Sequence, residues 1–355
     1  MGVEEEVMLL DPHGWSLTPA IDAVLPALSD ELAPHVGAET HGSALELRTG
    51  AHANVAAGMS ELRGLRDRLA AELSPFGLRA AVAGMHPFAV WQDTQISAGA
   101  RYRLLHGSMR ELARREPTFA LHVHVAVIDP EDALGALNRI RAHLPLLLAL
   151  SANSPYWQGR DTGLASARTP LFQAFPRVGI PRAFADYGEY VEAIDLLLRC
   201  DAFPEPTFLW WDVRLQPRFG TIEVRIMDAQ TTIADSAGLI ALVQTLVRLE
   251  VEEGYAPDAL VDAPEVLSEN RFLAARDGID AELIDPTAGR RVPARELLGQ
   301  TLAACRPHAD DLGCAAELET IRQLSDRPGR ARQMSGAGGP DGLVGLVAAL
   351  AGAFS

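Results

Sequence analysis

Lysine is absent from this chain: all 31 basic residues are arginine. Its absence excludes a Schiff base, a pyridoxal phosphate linkage and a P-loop, whose phosphate cradle requires Gly-Lys-Ser/Thr. A genome biased toward arginine codons explains the absence, and the chemical exclusion holds whatever the cause. Cysteine is scarce. Cys200, Cys305 and Cys314 are odd in number and not spaced as a metal knuckle, which predicts reduced thiols and a cytoplasmic chain without a disulfide framework. Cys200 falls at an expected helix end and reads as core. Positive charge is in deficit, 31 basic against 47 acidic residues for a net charge of −16. Such a surface repels phosphate backbones and anionic bilayers, so neither nucleic acid nor a membrane is expected as a partner. Any bound anion must be met locally, by arginine or by metal. The start, "MGVEEEV", lacks the basic and apolar regions of a signal peptide, and "GLVGLVAALAGAF" (342–354) is too short to span a bilayer and reads as a packed helix.

What is present is alternation. In "GVEEEVMLL", Glu4 and Glu6 share one face while Val3, Val7 and Leu9 share the other with Glu5. In "SALELRTG", Leu45 and Leu47 oppose Glu46 and Arg48. In "ALHVHVAV", Leu121, Val123, Val125 and Val127 oppose His122 and His124. In "WWDVRLQP", Trp211, Val213 and Leu215 oppose Asp212, Arg214 and Gln216. In "FGTIEVRIMD", Ile222, Val224 and Ile226 oppose Thr221, Glu223, Arg225 and Met227.

Stretches of helical spacing lie between and after these strands. Leu62, Leu65, Leu69 and Leu73 form one, Leu134, Leu137, Ile140 and Leu144 another behind Asp129-Pro130, and Leu239, Leu242, Leu246 and Leu249 the clearest. There is no regular βαβ alternation and no internal repeat. The expectation is an α+β fold, a curved and mostly antiparallel sheet with helices packed on one face. With 48% hydrophobic residues, 355 residues suit one catalytic domain, with a long active-site loop at 151–185 and a helical C-terminal part at 286–355.

Stacked in one sheet, the polar faces gather Glu4, Glu6, Glu46, Glu223, Arg48, Arg214, Arg225, His122 and His124. Singly, each has an ordinary reading: an exposed acidic strand end, a structural histidine, a structural ion pair. Together, crowded carboxylates call for hard cations held by oxygen, magnesium best or manganese in its place, and interleaved arginines suit a polyphosphate. A metal-dependent hydrolase built on His122, His124 and Asp212 is the rival enzyme reading; a nucleotide-binding protein without turnover is the non-catalytic one.

"GVEEE", "LELRTG", "GMHPFA", "HVHVAV", "GRDTGLASARTPLFQAFPRVGIP", "WWDVRLQPRFGTIEVRIMD" and "NRFLAARDGIDAELID", in that order, resemble the bacterial carboxylate-amine ligases of the glutamate-cysteine ligase type 2 family. The resemblance runs from Gly2 to about Asp285. It implies a catalytic fold like that of glutamine synthetase and guanido kinases, with ATP and magnesium on the concave face. The implied reaction is ATP-dependent amide formation from a small carboxylate and an amine, by default glutamate and L-cysteine. By the same resemblance Glu4, Glu6, Glu46 and Glu223 would hold metal, and Arg225, with Glu223 and Arg214, would act on the phosphoryl group in flight. Arg168 and His124 would contact the nucleotide, and Arg48 and Arg160 a substrate, although Arg48 equally answers Glu46. His86 reads as a loop residue with a structural hydrogen bond. The oligomeric state is open, a homo-oligomer included.

Overall fold

The computed structural model describes residues 1–115 and 117–354. Seven segments form its main sheet: β1 (Gly2–Leu10), β2 (Val36–Ala38), β3 (Ala44–Arg48), β4 (Arg79–Ala81), β5 (Ala120–Ala126), β6 (Val213–Gln216) and β7 (Thr221–Asp228). The order is β6-β7-β5-β1-β3-β2, with β4 on the far half of β1, and every pairing is antiparallel. The fold is therefore α+β, as the alternation predicts.

The apolar face is the core. Val3, Val7, Leu45, Leu47, Leu121, Val123, Val213, Ile222 and Val224 are all buried. Four helices cover them: α1 (Val55–Leu73), α2 (Pro130–Ile140), α3 (Leu144–Ser151) and α4 (Ile233–Glu253). Capping fixes where they begin. The Asn54 side chain accepts from the Ala57 N–H, Asp129 accepts from Glu131 and Asp132 with Pro130 in the first turn, and Thr232 accepts from Asp235. Helix α4 is buried along most of its length, because helices Ala294–Asp311 and Ala315–Asp326 pack on its outer side.

A buried ion pair interrupts this core under β1. Glu5, fully buried among the apolar residues of β1, accepts from Arg66 Nε at 2.7 Å and Nη2 at 2.6 Å. Arg66 also donates to the carbonyls of Gln230 and Thr231 at 2.9 and 3.0 Å, tying β1, α1 and the entry to α4 together.

Strand β7 departs from simple parity. Val224 pairs with Val123, but the next pair is Met227 with Leu121, so Arg225 and Ile226 together face His122. This β-bulge inverts the strand's faces beyond it. Met227, expected beside Glu223 and Arg225, is instead buried in the core, and Asp228 turns to the other side. There Asp228 is fully buried and accepts from the Asn153 N–H at 2.8 Å, Ser154 Oγ at 2.7 Å and Ser166 Oγ at 3.0 Å.

Those partners belong to the segment 151–185, which packs into the sheet's support. It carries a hairpin (Tyr156–Trp157 with Arg160–Asp161), a helical turn (Arg168–Phe172) and a strand (Val178–Gly179) that runs parallel to Trp210–Trp211. After β-strand Arg290–Pro293 the C-terminal part is helical, and helix Gly342–Gly352 buries Leu346, Val347 and Leu350. Cys200, expected in the core, is exposed, because it caps helix Tyr187–Arg199 at the surface. His86 is buried, with its Nε2 bonded to the Trp15 carbonyl and its Nδ1 accepting from two backbone N–H groups. Among the described residues no helix is long and apolar enough to cross a membrane.

Candidate active site

Strand register sets the site in rows across the face opposite α1–α4. Arg214 pairs with Glu223, and Glu223 with His124. In the next row Arg48 pairs with Glu4 and Glu4 with His122, which faces the bulge bearing Arg225. In the third, Glu6 pairs with Glu46. Because antiparallel partners point to the same side, the predicted acids and histidines, with Arg214 and Arg225, gather from five strands on one face.

Glu4 lies 3.2 Å from His122 Nδ1 and 3.4 Å from His124 Nε2. Burial would raise its pKa, but bonds to these two imidazoles outweigh that and hold it below the usual carboxylate range. His122 is buried and pushed down to about 4 by burial and by Arg225, so it is neutral at neutral pH and its ring is available as a ligand. Glu6 accepts the Ala120 N–H at 2.6 Å yet is raised, by burial first. Glu46 is raised well above its ordinary value by burial and by Glu4. Two sets of donors converge, Glu4 with His122 and Glu223, and Glu6 with Glu46 and His122, their ligand atoms within 4.8 Å of one another in each set.

The sequence reading missed Glu39. It follows β2, two residues beyond Gly37, which pairs with Glu46, so it shares the acidic face. Burial, then repulsion from Glu6, pushes Glu39 up to about 8. The available signal was the hairpin β2–β3. A three-residue strand centred on glycine has too little alternation to reveal it.

Glu223 is fully buried between two guanidiniums. Arg214 donates Nε at 2.7 Å and Nη2 at 3.1 Å, and Arg225 Nη1 bonds the same carboxylate. Burial would raise its pKa; Arg225 and Arg214 instead hold it at about 2. Arg214 is itself fixed by the Leu209 and Thr207 carbonyls at 2.6 and 3.1 Å. Arg225 keeps a buried Nε without a hydrogen-bond partner among the described residues.

The remaining predicted residues divide: Arg168 and Asp212 line the same cavity as His122, whereas Arg48 and Arg160 do not. Arg168 donates to the carbonyls of Ile226 and Arg225 at 3.0 and 3.3 Å, so it braces the bulge that aims Arg225 while lining the same cavity. Arg48 is exposed, with its Nε 3.7 Å from Glu46. Arg160 is exposed in its hairpin and does not line the cavity. Asp212, named with the histidines in the hydrolase reading, is bound bidentately by Arg271 at 2.6 and 3.2 Å.

The cavity has an acid end, with Glu6, Glu39, His122 and Arg225, and an apolar end, with Leu105, Met109, Phe172, Phe175 and Trp210. Its enclosed volume is about 100 Å³. That is well below the roughly 300–1,000 Å³ of a pocket that swallows a whole small molecule.

The profile of glutamate-cysteine ligase family 2 matches residues 1–338. Two relatives from Rubrobacter xylanophilus, provisionally named glutamate–cysteine ligase 2-1 and 2-3, are each 41% identical. The first aligns over 91% of this chain and 86% of its own, the second over 92% and 88%. Among solved structures, glutamate–cysteine ligase from Francisella tularensis in complex with AMP matches at TM-score 0.70 and 12% identity, covering 99% of this chain and 88% of that one. A bifunctional glutathione synthetase from Pasteurella multocida matches at TM-score 0.73 and 15% identity, and this chain spans 52% of its length. At these identities the solved structures carry the fold alone, whereas the profile and the curated relatives carry the family: this chain belongs to glutamate-cysteine ligase family 2 and is a ligase of that type.

Proposed function

We propose that the chain joins a small carboxylate to an amine with ATP, through an acyl phosphate, and that glutamate and L-cysteine are its default pair. One observation carries this reading most. Glu6, Glu39 and Glu46 are crowded, half-buried and raised in pKa, so the protein's own cations leave them undercompensated, yet a fixed arginine stands beside them. Hard divalent ions fit such an oxygen-rich donor set better than zinc or iron does.

Glu4, Glu6, Glu39, Glu46 and His122 would hold magnesium, and Glu223 reaches the first set while bracing two guanidiniums. Magnesium, when bound, neutralises charge on the phosphate oxygens. A carboxylate is a poor electrophile, so its oxygen attacks the γ-phosphorus of ATP; the γ-phosphorus–oxygen bond to ADP breaks. Arg225, held in place by Glu223 and by Arg168's grip on the bulge, faces the charge that spreads over that phosphoryl group. The amine nitrogen then attacks the acyl carbon, loses a proton, and phosphate leaves. No protein nucleophile is needed, in keeping with a chain without lysine. An enclosure of about 100 Å³ suits the phosphoryl group and its ions and is too small for the whole nucleotide.

The test is a phosphate-release screen of glutamate and other acids against many amines. The expected result is ADP and phosphate release that depends on both partners at once. Nucleotide hydrolysis indifferent to the amine, or none across the panel, would remove the proposal.

A further inference from the structure

A second cavity, of about 520 Å³, lies behind the first. Thr169 and Arg271 line both, so one wall separates them. Its charged lining is Arg141, Arg182 and Arg271; among the described residues no carboxylate lines it, in a chain with 47 acidic and 31 basic residues. Two of these arginines are neutralised from outside the cavity, Arg182 by Glu189 at 2.8 Å and Arg271 by Asp212. Arg141 differs. It is 1% exposed, donates Nε to the Pro181 carbonyl at 2.7 Å, and has a buried Nη1 with no hydrogen-bond partner among the described residues. Bracing one carbonyl needs no charge, Asp262 acts on this guanidinium only from beyond ion-pair distance, and a buried guanidinium without a directly paired carboxylate is unfavourable.

We propose that this cavity binds the carboxylate of a small amino acid, with Arg141 as its anchor. A carboxylate supplies the two-oxygen acceptor that the guanidinium fork lacks, and Ser268, Thr169 and Gln173 are the polar residues of a lining otherwise made mostly of prolines and apolar side chains. The ligand's amino-acid character rests on the ligase reading. The carboxylate belongs either to the amine substrate, waiting one wall from the acid cluster, or to an amino-acid effector that acts through Arg271.

Calorimetric titration of L-cysteine, L-glutamate and cysteamine into the folded chain, without ATP, tests the site apart from turnover. With Arg141→Gln and with Ser268→Glu, which puts a like charge at the exposed lip, binding of at least one amino acid weakens tenfold or more, while cysteamine, lacking the carboxylate, is unaffected. If Arg141→Gln does not fold, Ser268→Glu decides. A rise in KM for the amine at unchanged KM for ATP identifies the substrate; unchanged KM values with loss of an amino acid's inhibition or activation identify an effector. Weakened binding in a protein that releases no phosphate keeps the site and removes the ligase reading. Wild-type affinities in the folded variants, or no amino-acid binding by the wild type, overturn the proposal.

Discussion

Glu223 holds two guanidiniums on one carboxylate, so it acts mainly by fixing where positive charge stands. Glu223→Gln keeps the shape and loses the charge; Arg225→Ala removes the group proposed to face the phosphoryl. Each should cut turnover by about a hundredfold or more, the usual consequence of losing one charge stabiliser, and steady-state kinetics on variants with wild-type circular dichroism will check it. Glu39 makes a prediction about pH. A carboxyl pushed from 4.5 up to about 8 holds its proton more tightly folded than unfolded, so the stability it contributes is full below 4.5 and lost as pH rises to about 8. Glu6 and Glu46 shift the same way. Thermal melts without metal should fall between pH 5 and 8, magnesium should restore more at pH 8 than at pH 5, and Glu39→Gln should flatten the slope. Parity in the sequence exposed Glu4, Glu6, Glu46, His122, His124 and Glu223, since each sits in a strand long enough to alternate. Glu39 and Arg271 were not legible, one beyond a three-residue strand, the other on a helix that reaches the site only through tertiary packing.

At the scale of elements, the bulge in β7 and the Glu5–Arg66 strut do most to place the site. The bulge was invisible in "TIEVRIMD", because an extra residue is defined only against the partner strand. Asp228 anchors its far side and leaves no room at Gly84, where a Cβ would stand 2.6 Å from the Asp228 carboxyl carbon. Gly84→Ala should therefore destabilise the fold by about 1–3 kcal/mol and lower kcat through a displaced Arg225; denaturant titration with kinetics reads both. Across the sheet, Arg66→Met leaves a buried Glu5 unpaired and should lower stability by about 3–5 kcal/mol, much of which Glu5→Leu in the same chain should recover. The sequence placed Glu5 on the apolar face without a partner; Arg66 lay hidden one position past a leucine stripe.

Across the whole molecule, the order of strands and helices was legible because each needs only local periodicity. How the segment 151–185 is used was not. It has no sustained period, yet Asn153, Ser154, Ser166 and Arg168 bond the end of β7 and stiffen the site's floor. The strongly negative chain thus sets a few arginines beside a cluster of crowded acids, the arrangement from which anion and metal binding are proposed. The reaction proposed for that cluster passes an oxygen atom from carboxylate to phosphate, which gives the most direct measurement. With glutamate labelled with ¹⁸O in its γ-carboxylate, ATP, magnesium and L-cysteine, the released phosphate should carry one ¹⁸O for each amide formed; amide formed with unlabelled phosphate would contradict the acyl phosphate and the account built on it.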